Sequence, residues 1–167
     1  FPVEDIAVLV DLGIWHVGEN RDQEAKPKAE ALGGSGLIWH FIGQLQTNKA
    51  RSVAGYADVV ESVDRLKLVK ALSGAVAERD PASRPLRCLV QVCLDGQPGR
   101  GGAEPEQVTE IAASIAAAPG LLLGGVMAVA PLGADPDVAF ALLAEVAAEV
   151  RLHHPEADAI SAGMSGD

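Results

Sequence analysis

The chain has 167 residues, 49% of them hydrophobic, which suits one domain with a substantial core. It carries 23 acidic against 13 basic side chains, a formal charge of −10. That sign is opposite to a generic phosphate-backbone binder and argues against nucleic acid as a partner. No apolar stretch reaches the roughly 18 uncharged residues of a membrane span, because glycine and proline interrupt the longest candidates.

Taken in order, the chain alternates two periodicities. Val3, Ile6, Leu9 and Val10 follow helical spacing behind Pro2, with Gly13 as a stop. Residues 14–17 then predict a short strand. Residues 22–32 predict a helix with Ala25, Ala29 and Leu32 inward, 37–42 a strand, 47–54 a short helix ended by Gly55, and 57–63 a strand. Asp64 has the chemistry of an N-cap for a helix marked by Leu66, Val69, Leu72 and Val76. Residues 86–94 predict a strand. Pro105 opens a helix through Val108, Ile111 and Ile115 that closes at Gly120, and 121–130 predict another strand. Asp135-Pro136 is a cap followed by a first-turn proline. Phe140, Leu143, Val146, Ala147 and Val150 line the helix behind it, and 159–163 predict a last strand.

Strict alternation of strand and helix predicts a parallel sheet with helices outside, and near-continuous apolar strands predict burial on both faces. A doubly wound open sheet and a (β/α)₈ barrel both fit. Six strands fill the first but not the second, whereas no Gly-x-Gly-x-x-Gly follows the first strand. Cys88 and Cys93 lie at an odd spacing in one apolar run. They are expected on opposite faces as two buried thiols that do not bridge, which suits a reducing compartment.

Chemistry in parallel α/β folds gathers at the C-terminal ends of the strands. Those ends offer Gly18, Glu19 and Asn20; Gly43, Gln44, Gln46 and Asn48; Ser62 and Asp64; Asp95, Gly96 and the Arg100-Gly101-Gly102 loop; Met127; and Ser161, Gly163, Met164 and Ser165. A rim of amides, hydroxyls and glycines suits an anion, often a phosphate, and predicts a small-molecule site. His40, between Trp39 and Phe41, reads from the residues alone as a hydrogen-bonded core histidine before a catalytic base. His153-His154 reads as a solvated helix end. Asp58, Glu61 and Asp64 are too dispersed to predict a carboxylate pair. No Cys/His cluster has metal spacing, and neither a Gly-x-Ser-x-Gly elbow nor a Walker loop is present.

Several strings together resemble one family. They are Gly18-Glu19-Asn20 followed by Gln23-Glu24, the run Trp39-His40-Phe41-Ile42-Gly43-Gln44-Leu45-Gln46-Thr47-Asn48-Lys49, Ser62-Val63-Asp64 with Leu66, Gln91-Val92, Gly125-Val126-Met127, and Ser161 through Asp167. In this order they resemble the pyridoxal phosphate homeostasis family, relatives of the alanine racemase N-terminal domain. Ala162 stands where that family usually has Met, and Cys93 where Asn is common.

The resemblance implies an α/β fold, a (β/α)₈ TIM barrel of the pyridoxal-phosphate-binding type III class. Its first and eighth strands are missing from the chain, so that residues 1–167 are a single, incomplete barrel domain holding strands two to seven. It implies a Schiff-base lysine on the absent first strand, expected immediately before Phe1. From the usual barrel length, about 30–60 further residues are expected ahead of Phe1 and several tens after Asp167. The cofactor-binding residues it implies are Asn20, His40, Ser62, Met127, Ser161, Gly163, Met164 and Ser165, with Ser165 on the phosphate. No residue of the chain is expected to be catalytic and no metal is expected.

The implied function is to hold pyridoxal 5′-phosphate as a Schiff base in vitamin B6 and amino-acid homeostasis, without efficient turnover. The alternative is an amino-acid racemase or decarboxylase using the same cofactor. Racemization in related barrels needs a tyrosine from an added β domain, and the one tyrosine here, Tyr56, falls between a helix and a strand. The expected setting is the cytoplasm, as a monomer or weak dimer with pyridoxal-phosphate-dependent apoenzymes as recipients and no membrane or nucleic acid partner.

Overall fold

Each apolar run becomes a strand and each amphipathic run a helix in the computed structural model, which describes residues 1–80, 82–96 and 101–164. The order is α1 (Val3–Asp11), β1 (His16–Glu19), α2 (Asp22–Ala31), β2 (Ile38–Phe41), a 3₁₀ turn (Thr47–Lys49) running into α3 (Ala50–Ala54), β3 (Val59–Val63), α4 (Leu66–Val76), β4 (Leu86–Gln91), α5 (Pro105–Ala117), β5 (Leu121–Val129), α6 (Pro136–His153) and β6 (Ala159–Gly163). The strands form one parallel sheet in the order β1-β2-β3-β4-β5-β6. A doubly wound sheet reverses its strand order at a switch point. Uninterrupted sequential order is that of a barrel wall, so the open-sheet alternative falls and the part-barrel stands. Among the described residues, β1 and β6 are the two edges of this wall.

The outer face holds the main core. Leu68, Val69 and Leu72 of α4, Val108, Ile111 and Ile115 of α5, and Leu143, Val146 and Val150 of α6 meet Val60, Val63, Leu86, Cys88, Val90, Leu121, Leu123 and Val126 of the sheet. Burial of each large aliphatic side chain contributes about 1.5–3 kcal/mol. A smaller cluster joins Ile6 of α1 to Leu37 and to Trp39 of β2. The inner face carries Val59, Leu89 and Met127, flanked by Ile38 and Ala159.

Two register shifts interrupt the alternation of side chains. In β3, Val60 pairs with Cys88 and Val63 with Val90, so Glu61 and Ser62 lie where β4 supplies one residue. In β5, Leu123 pairs with Cys88 and Gly125 with Leu89, which leaves Gly124 unmatched. Both have the residue count of a β-bulge. The second turns Met127 toward the inner face although Leu121 and Leu123 point outward. Gly125 has φ +145°, and a Cβ there would lie 1.9 Å from the Ala159 carbonyl oxygen of β6. Only glycine allows β5 and β6 to approach in this way.

Element boundaries differ from expectation at several ends; β3, for example, starts at Val59 and not at residue 57. The first strand starts at His16, not at residue 14. The fourth ends at Gln91, because Val92 already bridges to Ala103 in the following loop. Asp64 is not the cap of α4: Arg65 holds that position without a side-chain cap bond, and the Asp64 carboxylate instead pairs with the Arg65 guanidinium. That guanidinium also donates to the Leu45 carbonyl at 2.8 Å, which ties the β2–α3 connection to α4. Asp135 caps α6 as expected, accepting from the Asp137 amide. Cys88 and Cys93 are both buried and free. Among the described residues, no helix is long and apolar enough to cross a membrane.

Two outcomes follow. Gly125→Ala is expected to part β5 from β6 and to cost about 2–4 kcal/mol, read by denaturant unfolding; a loss within about 0.5 kcal/mol would contradict the close approach. Burial pushes the Cys88 thiol up to about 12, so almost no thiolate exists near neutral pH. Cys88 should therefore resist thiol reagents in the native protein and label only after denaturation, as peptide mass mapping would show.

Candidate functional site

The inner face of the wall bounds a cavity of about 720 Å³, whose lining includes His16, His40, Glu61, Arg87, Leu89 and Ser161. Its floor is apolar, with Met127 buried beside Val59 and Leu89. Its polar groups form a chain. His16 Nδ1 lies 2.8 Å from His40 Nε2 and His40 Nδ1 lies 2.6 Å from Glu61 Oε1, while Ser161 lines the same cavity. The chain thus joins β1, β2 and β3.

Glu61 is only 6% exposed. Burial by itself would raise its carboxyl, but the hydrogen bonds from His40 and Ser161 and the nearby imidazole outweigh it and hold the group below its ordinary value. An ionised carboxylate only accepts, so His40 Nδ1 carries a proton and donates to it. The contact between His40 and His16 then requires a single proton shared between Nε2 and Nδ1. The sequence expectation of a hydrogen-bonded histidine holds, and its partner is a residue that sequence reasoning passed over. On the other side of the cavity Arg87 reaches the Gly124 carbonyl at 3.4 Å and Asp158 at 3.6 Å.

Two buried polar atoms near the strand ends have no hydrogen-bond partner among the described residues, Ser62 Oγ and Gln91 Oε1. Ser62 is 1% exposed and sits in the β3 bulge beside Glu61. Gln91 is the register partner of Met127, and Met127 of Ser161, so these three residues share the inner side of adjacent strands. A buried polar group without a partner costs about 1–3 kcal/mol, and such groups call for a ligand or an ordered water. A polar, oxygen-bearing ligand with an apolar face fits this set: hydroxyl and amide groups above, and the Met127, Val59 and Leu89 surface below.

The connections behind β1 and β2 also meet. A Cβ on Gly43 would lie 2.0 Å from the Asn20 carbonyl oxygen, so glycine alone lets the two loops touch. They are pinned from outside by the Lys28–Glu19 ion pair at 2.5 Å and by buried Asp22, which accepts from Ser52 at 2.8 Å and faces Lys49 at 3.5 Å.

The structure therefore holds His40 on Glu61 and sets Met127 alongside Ser161. Ser62 is adjacent in β3. Asn20 is exposed at the end of β1, Gly163 ends β6 and accepts from Ala130 at 2.8 Å, and Met164 follows it, 41% exposed. Ser165 and Arg100 lie outside the described residues. Glu61, His16, Arg87 and Gln91 were not predicted as site residues. The available signal was a glutamate inside the apolar run Val59-Val60-Glu61-Ser62-Val63, since a charged residue in a doubly covered parallel strand needs a partner. Among the described residues no group of three or more His, Cys, Asp or Glu could hold a metal ion.

Comparison with known proteins agrees with this geometry. Residues 3–167 match the family described as alanine racemase, N-terminal domain. The chain is 43% identical over 170 residues to the pyridoxal phosphate homeostasis protein of Corynebacterium glutamicum, covering 99% of this chain and 76% of that protein. It is 44% identical over 184 residues to the protein of the same name from Mycobacterium tuberculosis, covering 100% of this chain and 71% of that protein. The structure of PipY from Synechococcus elongatus with pyridoxal phosphate bound superposes with a TM-score of 0.84 at 31% identity, over 99% of this chain and 78% of that one.

The Glu61 carboxyl sits below its ordinary value in the fold, so its contribution to stability is present above the unfolded pKa of about 4.3 and is lost as pH falls through the lower folded value. The stability gap between the protein and Glu61→Gln should accordingly be widest near neutral pH and narrow below about pH 4. Urea unfolding across that range measures it, and a gap independent of pH would contradict the ionised, doubly bonded carboxylate.

Proposed function

The chain belongs to the alanine racemase N-terminal domain family and, within it, to the pyridoxal phosphate homeostasis proteins, and from that premise we propose that it holds pyridoxal 5′-phosphate on the inner face of its part-barrel and serves vitamin B6 and amino-acid homeostasis without efficient turnover. The observation that carries the reading is the set of buried, unpartnered polar atoms, Ser62 Oγ and Gln91 Oε1, beside an apolar floor, in a wall that superposes on a relative holding that cofactor.

When bound, pyridoxal phosphate supplies an aldehyde that takes up amines and a ring that draws electrons. Asn20, His40, Ser62, Met127, Ser161, Gly163 and Met164 are the residues proposed to hold it, with Ser165 on the phosphate. Met127 offers an apolar, polarizable surface for a ring. Ser62 offers a hydroxyl that nothing else among the described residues uses. His40 is kept in one orientation by Glu61.

Absence of efficient turnover draws support from the position of Tyr56. It packs against the outer clusters, and burial followed by the charges of Asp22 and Glu19 keeps its phenol well above the ordinary range. A tyrosine so placed stays protonated and does not serve the cavity as an acid–base group. The proposal extends to a cytoplasmic monomer or weak dimer that passes the cofactor to pyridoxal-phosphate-dependent apoenzymes. The acid excess of 23 over 13 residues turns its surface away from nucleic acid.

The full-length protein is expected to take up pyridoxal phosphate with the visible absorbance of a bound internal imine; no uptake would overturn the reading. The loaded protein, given D- and L-amino acids in deuterated buffer, should exchange their α-protons slowly. Rapid exchange with turnover would favour the racemase or decarboxylase alternative. Ser165→Ala is expected to weaken cofactor retention by about 1–3 kcal/mol, read by equilibrium dialysis.

A further inference from the structure

The cavity extends down the wall to the N-terminal ends of the strands. His16 opens β1, Asp58 precedes β3 and Arg84 precedes β4, and all three line the same hollow as Glu61, in the middle of β3. Three side chains touch in series there. Glu61 Oε1 lies 2.6 Å from His40 Nδ1, and His40 Nε2 lies 2.8 Å from His16 Nδ1. Glu61 is buried, His40 partly buried and His16 exposed. The series therefore leads from a carboxylate inside the sheet to an exposed imidazole at the end opposite the polar rim.

A carboxylate accepts, and a neutral imidazole has one N–H and one bare nitrogen. With Glu61 ionised, His40 carries its proton on Nδ1, its Nε2 accepts from His16 Nδ1, and the nitrogen left bare is His16 Nε2. A proton arriving there shifts the series by one step. The N–H on His16 Nδ1 breaks as one forms on His40 Nε2, and the N–H on His40 Nδ1 breaks as an O–H forms on Glu61. Both contacts survive with donor and acceptor exchanged, and neither ring turns. The reverse passage carries a proton out. We propose that Glu61, His40 and His16 form a proton relay joining the ligand cavity to solvent at the N-terminal ends of the strands, with His16 Nε2 as its outer terminus. Its use rests on the proposed function above: amines reach neutral solution as ammonium ions and shed a proton before adding to an aldehyde, so a holder of pyridoxal phosphate has protons to move. The other charged groups on the cavity are Asp58, Arg79, Arg84 and Arg87. Asp58 accepts from the Trp39 amide, and Arg87 meets the Gly124 carbonyl and Asp158. Glu19 of β1 is paired with Lys28 of α2. None of these stands within the series, whose contacts are direct.

The full-length protein supplies two tests. Imidazole nitrogen NMR without cofactor, at about pH 8 where an ordinary histidine is neutral, should place a proton on Nδ1 of both His40 and His16 and leave each Nε2 bare. A bare Nδ1 on either ring overturns the relay. Protein loaded with pyridoxal phosphate is then mixed with methylamine and the change in visible absorbance is timed. His16→Gln, whose amide still reaches His40 but passes no proton, should slow that change at least about tenfold. His16→Ala should be slowed as well and be restored by imidazole added to the buffer, which a structural role would not produce. An unchanged rate in His16→Gln, or a slowed His16→Ala that imidazole fails to restore, overturns the relay. Wild-type protein that takes up no pyridoxal phosphate defeats the functional reading instead. In that case, or if the variants fail to fold, the nitrogen spectra decide the relay alone.

Discussion

Parallel pairing of consecutive strands is the constraint on which the molecule depends. Two parallel neighbours cannot be joined by a tight turn, so each strand needs a return segment, and a helix laid on one face is the economical return. With the order β1 to β6 unbroken, the major helices pack on one face and all strand ends of one kind gather on one rim. The outer face becomes a thick aliphatic layer. The inner face, free of helices, is where polar side chains gather around an apolar floor.

The inner face manages its polarity by pooling it. Isolated charges in such a place would cost several kcal/mol each. Instead one carboxylate accepts from an imidazole, and that imidazole shares a proton with a second one nearer solvent. Negative charge is spread along hydrogen bonds between three strands. The same bonds stiffen the wall across the hollow side, where no helix packs against it. Ser62 and Gln91, two of the four residues with unsatisfied buried polar atoms among those described, lie beside this network and not within it, so a ligand can meet those atoms without dismantling the support.

Much of the fold was legible because the signals were redundant. Strand β6 and the start of α6 combine apolar runs with a proline and a capping aspartate, and both appear where expected. The boundary at Asp64 was misread because an aspartate before a helix usually caps it; here a neighbouring guanidinium competes for the carboxylate, and sequence does not rank those two partners. The candidate site was half legible. His40, Ser161 and Met127 were reachable by resemblance, whereas Glu61 and His16 were not, since what matters about them is contact across the cavity between residues 24 and 21 positions apart. Strand alternation would not have fixed the facing of Glu61 either, because the β3 bulge interrupts the count at that residue.

Those bulges make sidedness a matter of counting. Leu123 and Met127 are four residues apart in one strand, a spacing that should place them on the same face, yet one is in the helix layer and the other in the hollow. The unmatched Gly124 between them is a phase change in the strand. Were the strand regular through Gly124, Met127 would face the helices and Val126 the cavity; the one extra residue is what keeps the observed facing with Gly124 present. The address of the binding surface is therefore written in residue number as well as residue identity. Among relatives of this chain, a single-residue gap at Gly124 would iron out the bulge and leave Met127 in the hollow, whereas a gap between Gly125 and Met127 would exchange the faces.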